Sequence, residues 1–159
     1  MAKKQAVPPG YHTVTPNIVV EDAANALEFY KKAFGAEETV RMPGPGGRIM
    51  HAEMRIGDSV MMIGEEMPDM GSNSPKKYGG SPVGFYVYVE NVDAAWERAI
   101  DAGAQGTMPL TDMFWGDRVG KLEDPFGHSW SLAEHVKDLT PEEIDKGQEA
   151  FFAQMQKSS

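Results

Sequence analysis

The chain repeats one pattern of residues at a spacing of 69 positions. The segment that begins at Ile18 reads IVVEDAANALE, and the segment that begins at Val87 reads VYVENVDAAWE. Each copy passes from an apolar stretch through an acidic turn into an amphipathic segment that ends at Gly-Ala, once at Gly35 and once at Gly103. Self-similarity at a fixed spacing is typical of a duplicated supersecondary unit. The sequence therefore predicts two tandem modules of the same topology.

Both copies predict the order strand, helix, strand, strand, strand. In the first copy the strands are expected near 13–20, 38–41, 49–56 and 59–63, with a helix capped by Asp22. In the second copy they are expected near 83–89, 107–111, 118–123 and 128–133, with a helix over about 93–102. The predicted fold is α+β, with two tandem βαβββ modules that form a curved mixed sheet around a cleft, plus a C-terminal helix.

The predicted boundaries follow changes in composition along the chain. Residues 1–65 form the first module, and residues 66–82, rich in Pro, Gly, Ser, Asn and Lys, form a linker or flap. Residues 83–135 form the second module, and residues 136–159 form a helical tail. Thr140, Pro141 and Glu143 have the spacing of a capping box at the start of the tail helix. That helix packs either on its own module or on a second subunit.

Composition excludes several classes of function. The 159 residues include no cysteine, so disulfides, thiolate nucleophiles and cysteine-bound metals are excluded. A formal net charge of −9 argues against nucleic acid or an anionic membrane as partner, since both attract basic surfaces. No apolar stretch approaches the roughly 20 residues of a membrane span. We expect a cytoplasmic protein whose partner is a small molecule.

Alternation along the strands predicts which side chains face away from the helices. In the strand at 49–56, Met50, Ala52, Met54 and Ile56 are assigned to the helix side, while the side chains expected on the open face are Ile49, His51, Glu53 and Arg55. His51 and Glu53 could orient a ligand or transfer protons, and Arg55 could hold an anionic group. The alternatives are a polar face toward water or a subunit interface.

The other candidate ligand-binding residues come from three further segments. Asn17 of the first strand, together with Tyr86 and Tyr88 of the fifth, is expected on the same open face. Trp115 and Arg118 follow in a turn and could cover a ligand and bind its carboxylate. Equally, Trp115 could only plug the mouth of the cleft while Arg118 pairs with Asp117. Trp130 is expected in the core, and His128 and His135 are expected in structural or surface positions.

These motifs resemble the vicinal oxygen chelate superfamily, which contains glyoxalase I, bleomycin-resistance proteins and extradiol dioxygenases. Within it, LEFYKKAFGA from Leu27, HAEMRIGDS from His51, and FWGDR and DPFGHSW from Phe114 and Asp124 are similar to the PhnB-like branch. The resemblance covers roughly residues 12–145. It implies two modules that close a concave cleft, commonly in a homodimer and sometimes with modules exchanged between subunits.

The same resemblance implies a metal site, but the residues at its positions do not suit one. Catalytic members bind a divalent ion through His, Glu or Gln of the first and fourth strands of each module. The corresponding positions are Thr15, Met62, Gly84 and Ser131, and both pairs obey the spacing of 69 residues. None of them is a usual ligand for Zn²⁺, Ni²⁺ or Fe²⁺. We therefore expect no metal and no other cofactor.

The leading hypothesis is a PhnB-like homodimer that binds a small polar or aromatic organic ligand without a metal. One alternative is a divalent-metal-dependent lyase, isomerase or dioxygenase whose ligands have moved to His51 and Glu53, with a third ligand from another strand. Another is a metal-free enzyme that uses His51 or Glu53 as its acid or base. His51 and Glu53 are therefore the candidate catalytic residues as well.

Overall fold

The computed structural model describes residues 4–158, which form two βαβββ modules and a C-terminal helix. The elements of the first module are β1 (Asn17–Val20), α1 (Ala23–Phe34), β2 (Glu37–Pro43), β3 (Ile49–Ile56) and β4 (Ser59–Glu65). The short helix α2 (Pro75–Tyr78) lies between the modules. The remaining elements are β5 (Gly84–Tyr88), α3 (Val92–Ala102), β6 (Gln105–Asp112), β7 (Asp117–Glu123), β8 (Ser129–His135) and α4 (Pro141–Lys157).

Each module forms its own four-stranded mixed sheet. The strand orders are β1-β4-β3-β2 and β5-β8-β7-β6, with the first strand parallel to the last and the other pairs antiparallel. The pairing repeats the sequence spacing: Asn17 lies opposite Met62, and Tyr86 lies opposite Ser131, 69 positions further along. The structure confirms the α+β fold of tandem modules and the C-terminal helix, with two sheets in place of one continuous sheet.

Equivalent polar residues start α1 and α3, the helices of the two modules. The side chain of Asp22 accepts a hydrogen bond from the backbone N–H of Asn25, and that of Asn91 accepts one from Ala94. Such caps satisfy N–H groups that have no partner inside the helix. The carboxylate of Glu65 at the end of β4 accepts the backbone N–H of Ala23, and Glu134 at the equivalent place in β8 accepts that of Val92. The last strand of each module is thereby fixed to the start of its helix.

Two sequence expectations about the first module need correction. The first strand begins at Asn17, not at residue 13, because Pro16 has no N–H for a strand ladder. Ile49 was expected on the open face and Met50 on the helix side, but Ile49 is buried in the core and Met50 is exposed. The pairing between β2 and β3 is irregular here, since Met42 pairs with His51 and Pro43 pairs with Ile49. This bulge at Met50 shifts the alternation by one residue.

The two modules meet through α1, α3 and a buried carboxyl group. Asp124, which is 4% exposed, accepts hydrogen bonds from the hydroxyl of Tyr30 at 2.6 Å and from Nε1 of Trp130 at 2.8 Å. It also accepts the backbone N–H groups of Phe126 and His128, both at 2.9 Å. Tyr30 belongs to the first module and the other donors belong to the second. Asp124 therefore joins a helix of one module to the core of the other, and Trp130 is confirmed as a core residue.

The linker and the tail both contact the second module. Pro75 of α2 lies against Gly127, and Ser74 before it is buried. In α4, Gly147 allows the helix to approach Phe114, since a Cβ at this position would lie 2.9 Å from the Cβ of Phe114. Phe151 stacks obliquely on the same ring at a centroid distance of 5.4 Å. The tail helix thus packs on its own chain, although its sides are largely exposed. Across residues 4–158, none of the helices has the length and apolar character to cross a bilayer.

The Asp124 contacts predict a clear effect on stability. Tyr30→Phe removes one of the donors to this buried carboxyl group, and hydrogen bonds to charged groups contribute about 1.5–3 kcal/mol. We expect Tyr30→Phe to lower the free energy of unfolding by about 2 kcal/mol in urea denaturation, and Asp124→Asn to lower it further. Tyr78→Phe, at an exposed tyrosine, serves as the matched control. If Tyr30→Phe is as stable as Tyr78→Phe, the role assigned to Asp124 is wrong.

Candidate functional site

The open face of the second sheet carries two tyrosines fixed by one carboxylate. Tyr86 and Tyr88 project from β5 on the side away from α3, because the intervening Phe85 and Val87 pack toward the core. Both hydroxyls donate to Oδ2 of Asp117, each at 3.0 Å. Asp117 is 2% exposed, whereas the tyrosines are 45% and 63% exposed. The tyrosine rings therefore lie on the surface of the face, and their hydroxyls point to a buried anchor.

His135 holds the other oxygen of the same carboxylate. Its Nδ1 donates to Oδ1 of Asp117 at 2.8 Å, and its Nε2 donates to Asp138 at 2.8 Å. These two hydrogen bonds raise the pKa of His135 above its ordinary value. Burial acts to raise the pKa of Asp117, but the hydrogen bonds from His135, Tyr88 and Tyr86 outweigh it and lower the pKa below the ordinary range. Asp117 is therefore ionised at neutral pH, and its carboxylate favours the protonated form of His135.

Trp115 completes this group of side chains, which we call the tyrosine platform: Tyr86, Tyr88, Trp115 and Asp117. The Trp115 side chain lies close enough to Asp117 and Tyr86 to lower the pKa of both, and its ring meets Phe114 edge-on at 5.0 Å. The rings of Tyr86 and Tyr88 lie 5.2 Å apart. Burial, followed by the hydrogen bond to Asp117, raises the pKa of Tyr86 to about 12. The tyrosines therefore stay neutral and act as hydrogen-bonding groups.

The open face of the first sheet also has a buried carboxylate with tyrosine and histidine donors. Glu53 on β3 is 7% exposed and accepts hydrogen bonds from the Tyr11 hydroxyl and from Nε2 of His51, the latter at 2.9 Å. Burial acts to raise the pKa of Glu53, but the hydrogen bonds from Tyr11 and His51 outweigh it and lower the pKa. Since the carboxylate is ionised, the imidazole proton lies on Nε2 and leaves Nδ1 of a neutral His51 as an acceptor.

The two clusters are not copies of each other. Glu53 pairs with Met62, and its counterpart in the second module is Lys121, which pairs with Ser131. Asp117 lies at the first position of β7, whereas Glu53 lies in the middle of β3. Each face nevertheless carries a buried carboxylate that receives tyrosine and histidine donors. The arrangement therefore depends on residues specific to each module and not on the shared fold.

Several expected site residues lie elsewhere. Arg118 was expected to bind ligand or to pair with Asp117, but alternation along β7 turns it to the helix side, where it pairs with Asp93 at 2.8 Å and Asp112 at 3.2 Å. Arg55 pairs with Glu37 at an exposed end of the sheet. Asn17 is exposed on β1 opposite Met62, in the cross-strand row that contains Glu53. Among the candidates, the structure brings together His51 with Glu53, and Tyr86 with Tyr88 and Trp115.

The larger groove of the molecule contains one of these two groups and not the other. A groove of about 1000 Å³ runs between the modules, and its lining includes Phe34, Arg98, Tyr86 and Tyr88, with neither His51 nor Glu53. A smaller one of about 490 Å³ lies between Asn17 of β1 and the linker. The expectation that His51 lies beside Tyr86 and Tyr88 is therefore not met within one chain. The physical reason is that the modules join through their helix sides, so the two open faces belong to separate sheets.

The residues at the family metal positions do not fit a divalent ion. Gly84 has no side chain, Met62 offers only a soft thioether, and Thr15 and Ser131 offer neutral hydroxyls, of which Thr15 already donates to the carbonyl of His12. The alternative pair of His51 and Glu53 is engaged in a mutual hydrogen bond. In the described part of the chain, no group of three or more His, Asp or Glu residues is placed to hold a metal ion.

Fold and sequence together place the chain among the tandem βαβββ proteins. It belongs to the Glyoxalase/Bleomycin resistance protein/Dioxygenase superfamily, whose family model matches residues 11–132. An uncharacterized protein of Mycobacterium tuberculosis is 44% identical over 134 residues, which cover 82% of this chain and 79% of the relative.

Solved structures show the same fold. A gene product of Arabidopsis thaliana is 29% identical, with a TM-score of 0.64 over 78% of this chain and 99% of that chain. A PhnB protein from Bacillus cereus shares the fold at 20% identity, with a TM-score of 0.61 over 77% of this chain and 99% of that chain. The family expectation is confirmed, and a PhnB protein is among the structural neighbours.

Sequence reasoning missed Tyr11, Asp117 and His135 as members of these clusters. Tyr11 precedes the first strand by several residues, and nothing in its own segment indicates that it reaches Glu53, 42 positions away. Asp117 and His135 are opposite each other on β7 and β8. Alternation counted from Trp130 and Leu132 would have placed His135 on the open face, which is the one available signal.

The contacts of His135 predict a pH-dependent contribution to stability. Because the folded chain raises the pKa of His135 from 6.5, it binds the proton more tightly than the unfolded chain does. The stabilisation is complete below that value and is lost as the pH rises through the raised pKa. We expect the difference in unfolding free energy between the parent protein and His135→Gln to be larger near pH 6 than near pH 9. A difference that stays constant or grows toward pH 9 would contradict this ion pair.

Proposed function

We propose that this protein binds a small polar or aromatic organic molecule on the open faces of its modules, close in character to PhnB proteins and without the metal of catalytic family members. The observation that carries the proposal is the pair of buried carboxylates, Glu53 and Asp117. Each fixes tyrosine and histidine side chains in place on the sheet face that points away from the helices. Polar groups held in this way orient a ligand at little entropic cost on binding.

Nothing in the packing of the modules requires these polar clusters. The core lies on the helix side of each sheet and contains the apolar side chains of α1, β3, β4 and β8. Glu53 and Asp117 lie on the opposite face, where a solvated sheet would carry exposed polar residues instead of buried acids. Burying a carboxylate costs several kcal/mol unless it is fully hydrogen-bonded. A ligand-binding role explains why this arrangement is present on a face that the fold leaves open.

We also propose that the protein works as a homodimer in the cytoplasm. Each sheet has two edge strands, β1 and β2 in the first and β5 and β6 in the second, which pair with a neighbour on one side only. Open edges are usually covered by another segment or another chain. A second copy of this chain would cover some of them and place an open face of one subunit opposite one of the other. The net charge of −9 supports a small molecule, and neither nucleic acid nor an anionic membrane, as the further partner.

Titration with a neutral aromatic probe tests the proposed binding. N-phenyl-1-naphthylamine fluoresces when it leaves water, and its amine can donate to the acceptor atoms of the Glu53 cluster. We expect saturable binding that His51→Ala weakens by about 3-fold to 10-fold, the effect of losing one hydrogen bond. The same change should lower the free energy of unfolding by about 1 kcal/mol or less, because no core volume is lost.

The matched control is His12→Ala, which removes an exposed imidazole outside the cluster. It should leave both the affinity for the probe and the stability unchanged. Probe binding that does not saturate, or equal affinities for His51→Ala and His12→Ala, would contradict the proposed role of this face. Strong destabilisation by His51→Ala together with unchanged binding would show that His51 is structural.

A further inference from the structure

We infer that the tyrosine platform of the second module recognises an organic cation, with an ammonium-type nitrogen over the rings of Tyr86 and Tyr88. The inference rests on the proposed function and narrows it to a class of ligand. Three independent properties of the platform lead to it: the direction of its hydrogen bonds, the exposure of its ring faces and the sign of the charge around it.

The hydroxyl donors of the platform are already used. Both tyrosine hydroxyls donate to Oδ2 of Asp117, and the Trp115 side chain lies beside Asp117 and Tyr86. The two nitrogens of His135 donate to Asp117 and Asp138. What remains toward a ligand are the lone pairs of the tyrosine oxygens, which are acceptors. A ligand that matches this surface must bring hydrogen-bond donors or positive charge of its own.

The ring faces supply the second property. Tyr86 is 45% exposed and Tyr88 is 63% exposed, with ring centroids 5.2 Å apart and planes tilted by 55°. Such a tilted pair forms two walls of a shallow recess. A phenol that donates its proton to an ionised carboxylate becomes richer in electrons, which strengthens the negative potential of its ring face. Aromatic walls of this kind attract alkylammonium groups, and their preference over a neutral group of the same shape is about tenfold per well-placed ring.

The charge near the platform has the matching sign. Asp117 and Asp138 flank one imidazole, so this trio carries a net negative charge even when His135 is protonated. The nearby guanidinium of Arg118 is turned to the other face and neutralised by Asp93 and Asp112. Lys121 shares the cross-strand row of Tyr86 but is separated from it by Ser131, and its side chain is exposed. Directly at the tyrosine hydroxyls the nearest charge is the Asp117 carboxylate, which repels an anionic group and attracts a cation.

Three probes of one shape and different charge test the inference. Choline is the cation, 3,3-dimethylbutan-1-ol is its neutral counterpart, and 3,3-dimethylbutanoate is the anion. Their affinities for the full-length protein are measured by NMR titration, followed through the tyrosine and Trp115 ring signals. We expect choline to bind at least about tenfold more tightly than the neutral alcohol, and the anion to bind more weakly than both.

Variants of Tyr88 separate the ring from its hydroxyl. Tyr88→Leu removes the aromatic face and should reduce the preference for choline over the alcohol by about tenfold. Tyr88→Phe keeps the face and should retain most of this preference. Tyr78→Leu is the matched control, since Tyr78 is an exposed tyrosine of the linker helix, and it should leave the preference unchanged. Tyr88 is itself exposed, so these variants are expected to fold.

The outcomes distinguish the inference from the proposed function. If the neutral alcohol binds as tightly as choline and loses affinity in Tyr88→Leu, the preference for a cation is wrong, although the platform still binds small molecules. If choline binds with equal affinity to Tyr88→Leu and the parent protein, its site lies elsewhere and the inference is overturned. If the probes of all three charges leave the ring signals unmoved, both the inference and the assignment of ligand binding to this face are wrong.

Discussion

Buried carboxyl groups with several donors determine how this chain is assembled. Asp124 joins α1 of the first module to the turn before β8 through four hydrogen bonds, two from side chains and two from the backbone. A carboxyl group in the interior destabilises a protein unless its oxygens are satisfied, and removal of one donor leaves an uncompensated group. The relative position of the modules therefore depends on a small number of directional contacts in addition to the apolar packing of α1 on α3. Because the modules meet through α1 and α3, the two open faces belong to different sheets.

The duplication explains how much of this architecture was predictable from sequence. The spacing of 69 residues predicted two modules with the same order of elements, and the structure repeats it in the pairing of Asn17 with Met62 and of Tyr86 with Ser131. Strand alternation also placed Tyr86, Tyr88, His51 and Glu53 on the open faces. It failed at Met50, where a bulge shifts the pattern, since a bulge depends on pairing with a distant strand.

The candidate site was less accessible to sequence reasoning because its contacts are long-range. Asp117 meets Tyr86 and His135 across three strands, and Glu53 meets Tyr11 from a segment that precedes the first strand. Arg118 illustrates the opposite error, since its residue type and turn position suggested a ligand contact. Alternation along β7 instead turns the Arg118 side chain to the helix side of the sheet, where it pairs with the carboxylate of Asp93 on α3. Residue type indicates which contacts a side chain can make, whereas the tertiary structure decides which partners it meets.

We propose that the open faces bind an organic ligand, in a homodimer, without the divalent ion that catalytic members of the superfamily hold. Native mass spectrometry of untagged protein after dialysis is the sharpest test, because it reports the subunit number and any bound metal in one spectrum. We expect a species of twice the 17.4 kDa chain, either bare or with an organic adduct, and no divalent ion. A species that carries one divalent ion per chain, or a monomer at micromolar concentration, would contradict it.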